Sequence, residues 1–354
     1  VFLINLPIGS FALLALVVFL KVKSTKQMPL RQKLLRIDII GNTIIIGSSV
    51  AVLYALTYGG SRHPWNTAQV LAPLIIGLIG MMLFIFVESS PYIREPVTPT
   101  RLFEDRTAVV IFIITFLNSS LTYWVLFFLP VYFQAVLLSS PSRSGVQVMP
   151  TLIVIVVAAI VAVIVLTKFG RYKGLHLAGF GLLTIGLGLY SVLDRHSSTA
   201  AWVMFQVLTA TGSGMVVNTA LPAFQACVAE NDQASATAGW AFIRSFGNIW
   251  GVAIPAAVFN NRFDQLAYRI SDAAVRSQLM GGHAYEHATK SFVKQFGEPL
   301  QSEVVGVFTD SLKLGWQLST IFSGVSFLLV FLEREIPLRK ELDTEFGMED
   351  KAPK

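Results

Sequence analysis

Charge is scarce in this sequence. Only 14% of its 354 residues are charged, whereas 54% are hydrophobic and the mean hydropathy is +0.63. Soluble domains carry roughly a quarter charged residues, so this composition indicates a protein whose main solvent is lipid. The net charge is only +6, and the basic residues lie in short connections between apolar runs. That distribution is typical of membrane topology and argues against nucleic acid as a partner.

Cysteine and histidine are also scarce, which limits the chemistry that we expect. The single cysteine, Cys227, excludes an intrachain disulfide. His283, Glu286 and His287 fit the H-x-x-E-H pattern, in which two histidines bind zinc and the glutamate activates water. No third ligand is evident, so we interpret this segment as the exposed face of a loop. We expect no enzyme, no catalytic residue, no metal and no cofactor, and keep a membrane-embedded zinc hydrolase as a distant alternative.

Long apolar runs are abundant. A membrane-spanning helix needs about 20 mostly apolar residues, and nine runs meet this requirement. The sequence therefore predicts an all-α polytopic membrane protein. The predicted spans are 2–20, 38–59, 69–88, 107–136, 147–167, 175–193, 200–222, 236–259 and 314–333.

Lysine and arginine positions predict the orientation of these spans. If the connection after the first span is cytoplasmic, 17 of the 27 basic residues lie inside and nine lie outside, and only Arg244 lies within a span. This bias follows the positive-inside rule, so we expect residue 1 outside and residue 354 inside. An external start, together with a first residue that is not methionine, predicts that an odd number of helices precedes this chain.

Four stretches resemble the major facilitator superfamily, and specifically its fungal fourteen-span drug:proton antiporters. They are VFLINLPIG (1–9), YWVLFFLPVYFQAVLLSSPSRSGVQVMP (123–150), KFGRYKG (168–174) and AFIRSFGNIWGVAI (241–254). In the second stretch the matching residues are Pro130, Tyr132, Phe133, Gln134, Ser144, Gly145 and Pro150. The third is similar to the superfamily's cytoplasmic loop motif through Gly170, Arg171 and Lys173, but it lacks the acidic residue of that motif.

The resemblance implies a major facilitator-type helix bundle that holds nine of fourteen spans, beginning at the sixth. It implies two lobes, of which the N-terminal one contributes only its last helix here. The implied segments are 1–20, the last helix of the N-terminal lobe; 21–37, a cytoplasmic basic linker; 38–88, an extra helix pair; 89–106, a cytoplasmic loop; 107–333, the C-terminal six-helix lobe with an external loop at 260–313; and 334–354, a cytoplasmic tail.

The function implied by the resemblance is proton-coupled export of small apolar compounds, namely drugs, toxins or secondary metabolites, from a monomer in the plasma membrane. The expected partners are the substrate, protons and lipid. A siderophore-iron importer of the same fold stays as the alternative, because such transporters also have a long loop before the last span. Iron-chelate capture would use tyrosines of that loop, and only Tyr268 and Tyr285 are present.

Arg244 is the most informative single residue. It lies inside the apolar run 237–259, and a charge at the bilayer centre costs about 2.5–3.5 kcal/mol on insertion scales. Helical spacing predicts that Trp240 and Asn248 share its face, together with Gly247, Gly251 and Pro255. We interpret Arg244 either as a cation on the wall of a transport pathway or as an internal brace between helices.

Other polar residues in the spans are candidates for the same pathway. They are Asn118, Tyr123 and Gln134 in the fourth span and Asn218 in the seventh, and each could instead hold helices together. No carboxylate lies deep in a span. Asp38, Glu88, Asp194 and Glu333 fall at span ends, where we expect solvated or capping roles. A proton-coupling acid would therefore lie in helices that precede this chain.

Overall fold

The computed structural model describes residues 5–19, 38–60, 62–90 and 100–338. The predicted linker 21–37, residues 91–99 of the loop 89–106 and residues 339–354 of the tail lie outside this range. Twelve α-helices occupy the described residues. They are α1 (Asn5–Phe19), α2 (Ile39–Tyr58), α3 (Ala68–Glu88), α4 (Arg106–Val131), α5 (Pro141–Phe169), α6 (Lys173–Tyr190), α7 (Thr199–Val217), α8 (Ala220–Ala226), α9 (Gln233–Leu266), α10 (Ala273–Leu279), α11 (Lys290–Val293) and α12 (Leu300–Val330).

The expected all-helical membrane architecture is confirmed, and the number of spans stays a prediction. Within the described ranges, six helical segments are long and apolar enough to cross a membrane: Ile39–Tyr58, Ala68–Glu88, Arg106–Val136, Pro141–Phe169, Thr199–Ala226 and Gln233–Arg269. Helices α6 and α12 occupy two more of the predicted spans with a less apolar sequence, and α1 is a shorter apolar helix of 15 residues. Residues 38–338 form one compact unit, and α1 belongs to another.

Hydroxyl side chains within the helices bond to their own backbone. Many of them donate to the carbonyl oxygen four residues earlier, a bond that needs no second helix and no water. Serine and threonine can therefore lie in an apolar helix without an unsatisfied donor. Examples are Thr115, Ser120 and Thr122 of α4, Thr184 of α6, Thr209 of α7, and Ser311, Thr320 and Ser326 of α12.

The core of the unit is a set of helix pairs packed through small residues. Helix α4 packs on both α9 and α12, α7 packs on α5 and α6, and α2 packs on α3 and on α9. Gly247 and Gly251 of α9 lie against the backbone of Phe116 and Ser120, and the Ser120 hydroxyl donates to the Gly247 carbonyl oxygen at 2.9 Å. Close backbone approach at such sites is the usual basis of helix association in lipid.

Connections that the sequence assigns to the same side of the membrane meet in the structure. The predicted inner end contains residues 100–107, 168–176, 223–236 and 331–338, joined for example by the Arg101–Asp232 ion pair at 2.8 Å. The predicted outer end contains residues 59–67, 132–140, 191–198 and 260–302, joined for example by a bond from Tyr132 to the Asp194 carbonyl oxygen. The structure supports this grouping, and which end faces the cytoplasm stays a prediction.

The predicted external loop 260–313 is largely ordered structure. Helix α9 continues to Leu266 and α12 begins at Leu300, so helices occupy both ends of this range. Between them, Val275, Leu279 and Val293 are buried in the main core, and the Tyr285 ring lies 5.1 Å from the ring of Phe128 in α4. This segment is therefore a fixed cap on the outer end of the bundle.

The contact between α4 and α9 gives a direct stability test. A methyl group on Gly251 would overlap the carbonyl oxygen of Ser120, whereas a methyl group on Gly306 of α12 would meet nothing within 4 Å. We expect Gly251→Ala to destabilise the fold by about 1–3 kcal/mol because the helices must separate. Gly306→Ala is the matched control and should be neutral or slightly stabilising. Thermal unfolding in detergent measures both, and equal melting temperatures would contradict this packing.

Candidate functional site

Arg244 lies on the outer surface of the described bundle. Its side chain is exposed, and its guanidinium carbon is 5.3 Å from the centre of the Trp240 ring, which is a cation–π distance. Among the residues that the structure describes, it makes no side-chain hydrogen bond and no ion pair. Trp240 is buried, and its indole Nε1 has no hydrogen-bond partner. The predicted pairing of Arg244 with the Trp240 ring is therefore present, and a brace to a described carboxylate is not.

The face of α9 that carries Arg244 is polar and accessible. Thr237 and Ser245 are exposed and Asn248 is half-buried, whereas Gly247 and Gly251 are buried against α4. Ser245 also lines an apolar cleft of about 260 Å³ between α2 and α9. This face of α9 thus presents a cation, the Ser245 hydroxyl and an amide at the surface of the described bundle, and hydrocarbon could not satisfy them.

Asn118 is the buried amide of α4. It is 2% exposed, and its Oδ1 atom has no hydrogen-bond partner in the described parts of the chain. An amide that holds two helices together would bond across the contact, and this acceptor does not. Its neighbour Thr122 makes such a bond, with its hydroxyl 2.7 Å from the Ser213 hydroxyl of α7.

The remaining predicted pathway residues lie at separate places. Tyr123 is half-buried on α4, and its ring stacks with Phe127 at 6.0 Å. Gln134 is half-buried in the π-helical turn Tyr132–Val136, which follows Pro130. Asn218 is exposed where α7 ends. The next helix, α8, starts anew at Ala220, so the predicted span 200–222 is interrupted at Asn218.

The predicted loop motif is part of a tightly bonded inner end. Gly170 ends α5 with a left-handed backbone (φ 70°), a conformation that glycine adopts without strain. Lys173 donates to the carbonyl oxygens of Phe331 and Glu333, and Tyr172 bonds to Arg334, Glu335 and Ile336. Arg171 is exposed. The motif therefore joins the start of α6 to the segment after α12.

A buried hydrogen-bonded pair, which the sequence did not suggest, lies at the centre of the predicted inner end. His176 Nδ1 is 3.0–3.1 Å from both carboxylate oxygens of Glu333, and both side chains are fully inaccessible. Thr107 at the start of α4 accepts a bond from the Arg334 backbone N–H and ties a third helix to the pair. The two residues are 157 positions apart, so no local pattern could have indicated the contact.

Two carboxylates differ from the expectation of solvated or capping roles. Glu333 and Glu88 are buried and not solvated, at 2% and 4% exposure. Asp38 is also buried, although it does cap α2 by accepting a bond from the Gly41 N–H at 2.7 Å. Only Asp194 is exposed as expected. Burial also raises the pKa of the nearby Cys227 thiol to about 12, with Asp105 and Glu333 adding to the shift.

The candidate zinc residues do not form a site in the described structure. His283 Nδ1 lies 3.3 Å from Glu286, whereas the His287 ring stacks on Phe292 at 4.6 Å. No group of three metal-ligating side chains occurs among the residues that the structure covers. The geometry offers no support for the zinc hydrolase alternative.

Comparison with known proteins identifies the family. Residues 1–291 match the family described as fungal trichothecene efflux pump. The chain belongs to this family of fungal efflux pumps. Its relatives are described as transporters and pumps and not as enzymes, and several are described as MFS-type. The resemblance to the major facilitator superfamily is therefore confirmed, while the fourteen-span count stays a prediction.

Three relatives of the pump family cover almost the whole chain. The MFS-type transporter TwmF of Talaromyces wortmannii is 46% identical over 351 residues, which are 99% of this chain and 64% of the relative. The MFS-type transporter pydD of an Acremonium species is 47% identical over 354 residues, 100% of this chain and 62% of the relative. Efflux pump FUS6 of Gibberella fujikuroi is 44% identical over 355 residues, which are 100% of this chain and 64% of the relative. The chain thus spans about 62–64% of the length of these relatives.

The His176–Glu333 pair predicts a strong energetic coupling. His176→Leu or Glu333→Leu alone leaves the other buried polar group without its hydrogen bond, which typically costs about 1–3 kcal/mol. The double variant removes both polar groups and should recover most of that loss. The exposed Arg269–Asp310 pair at 2.6 Å is the control, and its coupling should not exceed about 1 kcal/mol.

Double-mutant cycles of thermal unfolding in detergent measure both couplings. A coupling at His176–Glu333 no larger than that at Arg269–Asp310 would contradict the assignment of a buried hydrogen-bonded pair.

Proposed function

We propose that this chain forms the C-terminal part of a proton-coupled exporter of small apolar compounds that works by alternating access. Membership of the efflux pump family supports the transport activity. The observation that carries the site assignment is the accessible polar face of α9 around Arg244. On this proposal the segment 38–88 is the extra helix pair, 107–333 is the C-terminal lobe, and the described helices belong to a bundle of fourteen spans.

The proposed pathway runs along α9 and α4. Arg244 supplies a positive charge, held over the Trp240 ring, to polar or anionic groups of the substrate or to a coupling carboxylate. Asn118 supplies a buried acceptor, and Tyr123 with Phe127 supplies an aromatic wall. Gln134 and Asn218 would lie nearer the two ends of the pathway. Broad apolar surfaces with few polar groups suit substrates that share shape more than functional groups.

The His176–Glu333 pair has a separate role in this proposal. It ties α6, the segment after α12 and, through Thr107, α4 at the predicted inner end. A pair that is closed on all sides cannot contact substrate, so we assign it to stabilising the inner end when that end is shut. We place the proton-coupling acid elsewhere in the whole protein.

The siderophore importer is less well supported than export. Tyr285 is half-buried and packs against Phe128 and Phe259, so much of its ring is covered. Tyr268 is 70% exposed and is the remaining candidate of the two. We also propose that the protein acts as a monomer in the plasma membrane, which a fluorescent fusion and size-exclusion chromatography with light scattering would check.

Arg244 variants test the proposed function in the full-length protein. Expression in a yeast strain that lacks its own pumps should lower the accumulation of a fluorescent apolar dye. Arg244→Ala should abolish most of this effect at equal protein abundance. Arg244→Lys keeps the charge but loses the planar fork, so partial activity would indicate an electrostatic role. Arg143→Ala, which removes an exposed arginine at the start of α5 and away from this face, is the matched control and should export normally.

Two outcomes would overturn parts of the proposal. Normal export by Arg244→Ala would refute the site, and export that persists after a protonophore collapses the proton gradient would refute proton coupling. Uptake of a radiolabelled ferric chelate, with no dye export, would favour the importer.

A further inference from the structure

Three arginines follow the apolar part of α9 at the predicted outer end, where basic residues are disfavoured. Two of them have a local explanation. Arg269 pairs with Asp310, and Arg276 lies in the last turn of α10, where the helix dipole stabilises a cation. Arg262 has neither an ion pair nor a position in the last turn of a helix that would be stabilised in this way. It donates to the Gln265 side chain at 3.0 Å, its Nε atom is buried without an acceptor, and it forms no ion pair within residues 38–60, 62–90 and 100–338.

Arg262 lies at one end of a cleft of about 330 Å³ between α2, α9 and α12. The rest of the cleft is mainly apolar, with Leu56 on α2, Ile254 and Val258 on α9, and Leu314 and Leu318 on α12. The mouth near Arg262 is polar, since Asn261 and Gln265 also line it. The site therefore suits an amphiphilic ligand, because one end is cationic and the other is apolar.

The polar end of the cleft is held in place by hydrogen bonds. Trp65 Nε1 donates to Asn261 Oδ1 at 3.2 Å, and Asn261 Nδ2 donates to the Gly59 carbonyl oxygen at 3.1 Å. These bonds fix the turn between α2 and α3 against α9. The cleft therefore lies along the contact between the α2–α3 pair and the rest of the bundle, and its walls do not depend on a ligand to be formed.

The polarity and length of the cleft suit the headgroup and part of one acyl chain of a membrane lipid. Arg262 is three residues beyond the predicted span end at Phe259, so on that prediction its guanidinium lies near the level of the headgroups. From Arg262 to Ile254 the helix runs eight residues, or about 12 Å of apolar wall. A guanidinium fork matches a phosphate in charge and geometry. A free anion would leave the apolar wall unused, and an uncharged apolar compound would leave Arg262 unpaired.

We propose that this cleft binds one phospholipid of the adjacent leaflet, with its phosphate on Arg262 and an acyl chain along Ile254, Val258 and Leu318. The lipid fills the space between the α2–α3 pair and helices α9 and α12. This assignment does not depend on the direction, coupling ion or substrate of transport.

Binding to the purified, delipidated protein in detergent tests the proposal. Thermal stabilisation is titrated with phosphatidylcholine, phosphatidylglycerol, a diacylglycerol that lacks the phosphate, and inorganic phosphate. We expect both phospholipids to stabilise the protein at concentrations about tenfold lower than the diacylglycerol, because a charge-assisted hydrogen bond to Arg262 is worth roughly 1.5–3 kcal/mol. Inorganic phosphate should have no effect. Native mass spectrometry should show one retained phospholipid.

Three variants make the test specific. Arg262→Gln should remove the preference for phospholipid over diacylglycerol. Arg276→Gln removes the same charge from the same end without touching the cleft, so it should keep that preference. Leu318→Trp fills the apolar part of the cleft, so it should weaken the binding of the phospholipids and of the diacylglycerol by the same factor.

The melting temperature without lipid shows whether each variant is folded. Equal behaviour of Arg262→Gln and Arg276→Gln, or stabilisation by inorganic phosphate alone, would overturn the assignment.

Discussion

Hydrocarbon cannot hydrogen-bond, and this constraint governs where every polar group of the bundle lies. Backbone groups are satisfied by long helices, and the serine and threonine hydroxyls bond back to the preceding turn. Where helices meet, Ser120 bonds to Gly247, Thr122 to Ser213 and Thr184 to Ser323. Most polar residues within the helices therefore have a local or interhelical partner and need no functional explanation.

Some polar groups are exceptions to this rule, and the candidate pathway uses three of them. Arg244 is exposed and paired only with an aromatic ring, Asn118 Oδ1 has no partner, and the indole N–H of Trp240 has none. Other atoms, such as Gln147 Oε1 and Trp250 Nε1, also lack a partner among the described residues and have no assigned role. Placing any of the three pathway groups against lipid would cost free energy, because lipid offers no hydrogen bond. Contact with water, substrate or another part of the whole protein would cost little. All three lie on α4 and α9, which pack tightly through glycine. A rigid contact thus positions a small set of polar groups that the described fold itself does not satisfy.

Much of this arrangement could be predicted from sequence, because membrane helices obey simple local rules. Apolar length predicted the positions of the helices, and the distribution of basic residues predicted which connections share an end of the bundle. Helical spacing placed Trp240 beside Arg244. The contacts that the sequence could not predict join distant residues: His176 with Glu333, and Trp65 with Asn261, 196 positions apart. The break at Asn218 was also missed, because an apolar run continues across it.

Two ends of the bundle are stabilised by different chemistry. At the predicted inner end, the buried His176–Glu333 pair and several bonds to backbone carbonyl oxygens connect α4, α6 and the segment after α12. At the predicted outer end, a folded segment contributes apolar side chains and aromatic contacts to the main core. Loss of one partner leaves a buried polar group unsatisfied at the first end, whereas it removes apolar contacts at the second. The predicted inner end is therefore the one that depends more on specific polar partners.

The central claim is that position 244 faces water and not lipid, and cysteine accessibility measures this directly. The native Cys227 gives little background, because a thiol with a pKa of about 12 is almost wholly protonated at pH 7. In membranes that contain the full-length protein, Arg244→Cys should react with a charged, water-soluble thiol reagent. Ile160→Cys, at a lipid-exposed position of α5, should react only with an apolar one. If position 244 behaves like position 160, the pathway assigned to α9 is wrong.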